Sequence, residues 1–336
     1  MTSVAIAGCG LLGRKRAEAL EAQDRLLGVF DTAVDASEAL ARLTGARVCA
    51  SLEEVLDLGA DVVVVAATHD HLASLSVAAL QAGSHVLVEK PAGLSAGEVE
   101  AITAAADAAG RRVKVGFNHR FHPGIARAVE LAQSGELGDL LHVRARYGHG
   151  GRVGYDREWR ADVRRSGGGE IIDQGMHLLD LFHWLLGDQP LHSALLRTHF
   201  WDTEVDDNAV LVLGDRGSRT APWALLHVSW TEWKNMFGLE IYCRTGKLQV
   251  DGLTRSYGPQ RLTVHRMRPE LGPPDTEVVD YPAEDPSWAA EWRHFKSALA
   301  EGGELLGDLD SARFAWGIVE EAYELSSYAG IRTAVR

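Results

Sequence analysis

The chain has 336 residues, 46% of them hydrophobic and 24% charged, and a formal net charge of −13. At about 100–200 residues per domain, that length suggests two domains of an ordinary globular protein. The acidic balance argues against nucleic acid or an anionic membrane as a partner. The three cysteines, Cys9, Cys49 and Cys243, are odd in number, widely spaced and free of any CxxC pattern, so a disulfide framework and a structural zinc site are not expected. The N-terminus shows no basic segment followed by a long apolar one, and no run reaches the ~18 apolar residues of a membrane span. A reducing cytoplasm is the expected location.

Taken in chain order, the first third alternates short apolar runs with amphipathic segments. Residues 4–7, 26–30, 62–66 and 85–88 read as strands, continuously apolar as strands buried on both faces should be. Residues 12–22, 34–43, 52–58, 72–82 and 97–109 read as helices. Ser51 with Glu54 and Ser95 with Glu98 form capping-box patterns. Such repeated strand–helix units predict a doubly wound parallel sheet of the Rossmann type. A short strand at 113–115 leads into Gly116-Phe117-Asn118. Beyond residue 120 the pattern changes. Helices are expected at 122–133 and 173–186, with a strand at 140–147 between them. Strands at 194–200, 209–213, 224–230, 239–243, 247–250 and 261–264 follow without intervening helices, which predicts an antiparallel or mixed sheet in an α+β domain. Helices at 287–300 and 309–328 close the chain. The boundary falls near residue 120, giving a dinucleotide domain at 1–120 and a substrate and oligomerisation domain at 121–336. The last helices have the option of packing back on the first domain. The glycine-rich segment 148–169, dotted with Arg, Trp and Tyr, is long enough to be functional.

Gly8-Cys9-Gly10-Leu11-Leu12-Gly13 is a GxGxxG that follows a buried strand and opens a helix. In that setting the glycines allow a tight turn and a close backbone approach to a pyrophosphate. The helix N-terminus offers its free N–H groups to the negative charge. Asp31 ends the second strand, where a carboxylate binds ribose hydroxyls and repels a 2′-phosphate, favouring NAD. Arg14, Lys15 and Arg16 carry charges that suit NADP, although long basic side chains in a first helical turn are usually solvated. Thr68 and His71 follow the fourth strand at a carboxyl end, where ligands bind, but Thr68 or Asp70 also suits a helix cap.

Glu89-Lys90-Pro91 ends the fifth strand and places Lys90 on the same side as a nicotinamide. Proline at 91 fixes the turn and suits a cis bond. Asp173 and His177, four apart after Gly167-Gly168-Gly169, share one face of a helix that is otherwise nearly all apolar. A polar stripe on a buried helix must find partners or line a cavity. Either a satisfied core histidine or an Asp/His couple for proton transfer meets that need. Asp180 continues the stripe and reads as structural. His69 and His71 lack a third ligand at suggestive spacing, so no metal is expected.

In their order along the chain, Gly8–Gly13, Asp31, Ala67-Thr68 to His71, Glu89-Lys90-Pro91, Gly116-Phe117-Asn118 with Arg120-Phe121, and Gly169 through Asp173, Gly175, His177 and Asp180 resemble the Gfo/Idh/MocA family. His69 departs from it, standing where proline is usual. The resemblance implies an open, predominantly antiparallel second sheet whose outer face builds dimers or tetramers. It implies a Lys90/Asp173/His177 constellation acting with NAD, NADP being possible, on a secondary hydroxyl or ketone of a sugar, cyclitol or sugar derivative. Gly8, Gly10, Leu11, Leu12, Gly13, Asp31, Thr68, His71, Glu89 and Lys90 are then the expected cofactor contacts. Trp159-Arg160 resembles a family element near the nicotinamide, which adds Arg160. Asn118, Tyr155, Trp159 and Trp233 are weaker substrate candidates. An NAD-dependent glycosidase, a non-catalytic dinucleotide sensor and an imine or biliverdin-type reductase are the competing classes on this scaffold.

Overall fold

The computed structural model describes residues 1–326 and 328 and divides into two units. The first comprises Met1–Asn118 with Trp288–Arg313, the second His119–Ser287 with Phe314–Arg336.

The first unit is built on six short strands: β1 (Ser3–Ala7), β2 (Arg25–Phe30), β3 (Arg47–Val48), β4 (Val62–Val65), β5 (His85–Val88) and β6 (Val113–Val115). They pair in parallel in the order β3-β2-β1-β4-β5-β6, which is the Rossmann order. The helices α1 (Leu11–Glu18), α2 (Val34–Thr44), α3 (Leu52–Leu56), α4 (His69–Gln81) and α5 (Ala96–Ala109) connect them. Both expected caps form: Ser51 Oγ accepts from the Glu54 N–H at 3.3 Å and Ser95 Oγ from the Glu98 N–H at 3.2 Å. The acidic partners reach one residue further back than a capping box requires, Glu54 to the Ala50 N–H and Glu98 to the Leu94 N–H. α1 stops four residues short of the expected end, and the two-residue β3 is too short and polar to register in the pattern. Val4, Ile6, Val29, Val62, Val64 and Leu87 form a core that Trp292 and Phe295 complete. Those two aromatics come from a late helix, given below as α9.

In the second unit α6 (Pro123–Gln133) precedes β7 (Leu140–Gly148). The long segment after it is not featureless, since it holds single turns at Tyr155–Arg157 and Trp159–Ala161 and the short helix α7 (Val163–Ser166). The expected helix from residue 173 proves to be a π-helical turn, Ile171–Gly175, that runs into α8 (Met176–Leu186). Then come β8 (Leu191–Arg197), β9 (Asn208–Leu213), β10 (Trp223–Ser229), β11 (Met236–Cys243), β12 (Gly246–Asp251), β13 (Arg261–Arg266) and β14 (Asp275–Asp280). With β7 they make one sheet in the order β14-β13-β12-β11-β7-β10-β9-β8, antiparallel except for the β7–β10 pair. Strict alternation in β11 buries Phe237, Leu239, Ile241 and Cys243 on one face. α6 and α8 pack against the sheet. On the outer face, His142 stacks between Trp223 and Tyr242 at ring-centroid distances of 4.6 and 4.2 Å. α9 (Ser287–Glu301) and α10 (Leu309–Glu324) follow, so the expected end of the last helix at 328 contracts to 324; Ser327, within that expectation, and the tail at 329–336 lie outside the described residues. No described helix is long and apolar enough to cross a membrane.

Candidate active site

In the first unit, Gly8 links β1 to α1 with φ +101°, and a Cβ there would meet the Ala66 carbonyl at 2.4 Å. Only glycine fits that turn. Gly10, the N-cap of α1, has open space where a Cβ would project; Leu11 is exposed, Leu12 is half-buried and Gly13 is buried below them. This is the cradle that a pyrophosphate requires at a helix start. Asp31 stands beside it, accepting the Cys9 N–H at Oδ2 (2.7 Å) and the Ala33 N–H at Oδ1 (2.8 Å). The carboxylate is thus fixed at the loop. Burial first and then Asp31 push the Cys9 thiol up to about 12, which keeps it inert. Thr68 is the N-cap residue of α4, and its hydroxyl donates to Asp70 Oδ1 at 2.5 Å; His71 Nε2 lies 3.6 Å from Asp70 Oδ2.

At the end of β5, the Lys90–Pro91 bond is cis and Lys90 is half-buried. Glu89 is 3% exposed and accepts from Arg16 Nε at 2.6 Å. The expectation of a solvated Arg16 therefore fails. It is 2% exposed, pairs with Glu291 as well, and lies over the Trp288 ring. Residue count from the helix start did not reveal that its side chain turns inward. Asn118 is 4% exposed on the turn Asn118–Phe121.

In the second unit, Asp206 reaches across to order the segment that carries Asp173 and His177. Its carboxylate accepts the Gly169 N–H (3.2 Å) and the Ile171 N–H (3.0 Å), and its carbonyl accepts the Glu170 N–H (2.9 Å). It serves the unsatisfied donors at the start of this helical segment as a local cap would. A Cβ on Gly169 would fall 1.9 Å from the Asp206 carbonyl oxygen, so glycine is required for the approach. Asp173 then lies on the π turn and His177 in the first turn of α8.

Two expected residues meet on Asp173. Arg160 Nε stands 3.3 Å from Asp173 Oδ2, and the Tyr155 hydroxyl donates to the same oxygen at 3.4 Å. The Arg160 guanidinium also covers the Trp159 ring at 4.6 Å. The side chain assigned to the cofactor from sequence thus has its guanidinium Nε against a carboxylate oxygen. Burial first, then Asp173 and Glu170, raises the Tyr155 phenol, which stays protonated as a donor. Trp233 is 68% exposed and edge-on to Phe200, which in turn meets Trp201, a neighbour of Tyr155. Asp180, read as structural, accepts Arg120 from both Nε and Nη2, at 2.9–3.0 and 2.7 Å, with 0% and 5% exposure.

Sequence reasoning passed over several neighbours. His149, Glu170 and Asp173 each bring a ligand-type atom within 4.8 Å of the others, with Glu170 wholly buried. This group differs from the His69/His71 pair weighed for metal, and the Arg160 guanidinium already places positive charge on its Asp173 corner. A carboxylate set between Gly169 and the apolar pair Ile171-Ile172 was the available signal for Glu170. His119 lies face to face with His177, ring centroids 3.8 Å apart and planes at 23°. Nothing in the sequence links these two residues.

A Rossmann unit with a glycine-rich β1–α1 turn and Asp31 fixed beside it, followed by a mixed-sheet unit that carries Asp173 and His177 on one helical segment, defines a two-domain dinucleotide-binding class. Residues 2–117 match the model of an oxidoreductase family with an NAD-binding Rossmann fold, and residues 125–249 match the GFO/IDH/MocA C-terminal domain. The chain belongs to the GFO/IDH/MocA family, whose first domain binds NAD. It is 26% identical over 219 residues to glucose-6-phosphate 3-dehydrogenase of Bacillus subtilis (strain 168), covering 63% of this chain and 62% of that one. It is 30% identical over 207 residues to inositol 2-dehydrogenase of Rhizobium meliloti (strain 1021), covering 60% and 59%. The matches thus span about six-tenths of those relatives. Among solved structures, GenD2 from gentamicin A biosynthesis, in complex with NAD, superposes with a TM-score of 0.81 at 25% identity, over 98% of this chain and 94% of that one.

Proposed function

We propose that this chain is an NAD(P)-dependent oxidoreductase that moves a hydride between nicotinamide and a secondary hydroxyl or ketone of a sugar, cyclitol or sugar derivative. The observation that carries the reading is that Asp173 and His177 lie four residues apart on one helical segment, with Arg160 and Tyr155 on the Asp173 carboxylate. The glycine loop at Gly8–Gly13, Asp31, Thr68, His71 and Glu89-Lys90 would hold the dinucleotide, which supplies a hydride acceptor at nicotinamide C4. His177 takes the proton from the substrate hydroxyl as general base. Lys90 donates a hydrogen bond to that oxygen and stabilises its developing negative charge. Asp173 supports the imidazolium that forms on His177, while Arg160 fixes the carboxylate. In reduction the same two groups donate to the ketone oxygen. Asn118, Tyr155, Trp159 and Trp233 are the proposed substrate neighbours.

The same reading makes the chain a homodimer or homotetramer through the outer face of the eight-stranded sheet, to be checked by light scattering. The function itself is tested by following NADH fluorescence across inositols, aldoses, glycosides, amino sugars and nucleotide sugars. Net NADH formation from a polyol or sugar supports it. Cleavage of a glycoside without NADH accumulation would move the chain to the glycosidase class. The Lys90→Met variant should lose turnover on the positive substrate, and unchanged turnover removes Lys90 from the mechanism.

A further inference from the structure

We propose that His119 is a positioning residue for His177, its ring fixing the plane in which the His177 imidazole exchanges a proton. The inference rests on the reading of His177 as general base. A helix fixes where the His177 side chain starts but not the plane of its ring, because the outer torsion of histidine is broad. A ring packed on its face restricts that plane. His119 is the ring in face contact, with centroids 3.8 Å apart and planes at 23°. Tyr147, a second ring near His177, is at 6.4 Å and tilted by 60°, too remote to hold it flat.

His119 is itself fixed. It is 5% exposed and sits among Tyr147 at 5.2 Å, His122 edge-on at 5.6 Å and Phe237 at 6.0 Å. More telling is the second tie between the same two elements. Arg120, the next residue along the turn, clamps Asp180, which lies three residues beyond His177 on α8. Residues three apart share a helix face. The turn Asn118–Phe121 therefore grips α8 twice on one side, by a bidentate ion pair and by the ring stack. The ion pair sets the register at which the two imidazoles meet. General base catalysis needs the accepting nitrogen aimed at the hydroxyl, so a ring free to swing spends less time in the reactive arrangement.

The test compares His119→Ala, His119→Phe and His119→Asn by turnover on the substrate panel above, by NADH binding, by thermal melting and by NMR of ¹⁵N-histidine-labelled protein. His119→Ala should shift the His177 ring signals and lower kcat roughly 10–100-fold, the scale of a misplaced catalytic group, with NADH affinity and KM unchanged. His119→Phe, which keeps a flat ring, should restore most of kcat, whereas His119→Asn, which keeps hydrogen bonding without a ring, should not. Recovery by Asn and not by Phe overturns the proposal, as does unchanged kcat in the alanine variant. Should the alanine variant fail to fold, the Phe/Asn comparison decides alone. The NMR needs no substrate, and His177 signals unmoved in both the alanine and asparagine variants also overturn it. Full turnover in His177→Ala would instead defeat the general-base reading, whatever the His119 variants show.

Discussion

Arg16 and Glu89 form a buried ion pair, Nε to Oε1 at 2.6 Å, that joins the first helix to the residue preceding Lys90. Glu291 takes the other side of the guanidinium and also accepts from Lys114 Nζ at 2.7 Å. Two cations and two anions are thus balanced out of water, and the desolvation cost of each is offset only while its partner is present. Arg16→Met leaves Glu89 and Glu291 short of positive charge and should cost about 3–5 kcal/mol in urea unfolding. Adding Glu89→Gln should recover part of that loss. Strictly additive losses would mean that the two side chains do not interact energetically.

Asp31 is proposed to set cofactor choice. Its carboxylate is anchored by the Cys9 and Ala33 amides beside the glycine loop, where a 2′-phosphate would bring like charge. NADH should bind at least about tenfold more tightly than NADPH, and Asp31→Ser should narrow that ratio mainly by improving NADPH. Competitive fluorescence titration gives both constants. An unchanged ratio would shift the selectivity to Arg14 or Lys15.

The Asp206 carboxyl gives a pH-dependent stability term. It is wholly buried, and burial raises it from 3.8 to about 6 against the opposing hydrogen bonds from Tyr323 and the Ile171 and Gly169 amides. A folded-state value above the unfolded one favours the fold most below pH ~4, and that advantage is lost as pH rises through about 6. The stability of the wild type minus that of Asp206→Asn should therefore fall by about 2 kcal/mol between pH 4 and 7. A flat difference in urea unfolding across that range would contradict this.

The Arg120–Asp180 clamp should behave as a structural pair. Asp180→Asn leaves a buried guanidinium without its carboxylate and should cost about 3–5 kcal/mol. NADH affinity, set in the first unit, should remain unchanged. A selective loss of NADH affinity with stability intact would give Asp180 a different role.

The legible parts were those written locally. The β1–α1 glycine loop, Asp31, the caps at Ser51 and Ser95 and the Asp173/His177 spacing each lie within one turn or one strand–helix unit. What escaped depends on distant partners or on geometry that periodicity does not encode. Arg16 looks solvated until Glu291 is brought to it from 275 positions away. Asp206 and Tyr323 meet across 117 positions to hold Gly169. The π turn at Ile171–Gly175 leaves the apolar pattern of a plain helix intact, and β14, with five of its six residues exposed, carries no alternation to read. The His119–His177 stack joins a short turn to a helix through two side chains of a type that folded cores accept anywhere.

His177 is the proposed group that moves the proton. Steady-state turnover and NADH binding of His177→Ala, measured on the same preparation, test it most directly. The expected result is a kcat lowered about 10²–10⁴-fold with NADH affinity and melting temperature close to the wild type. Undiminished turnover, or loss of NADH binding together with the fold, would contradict it.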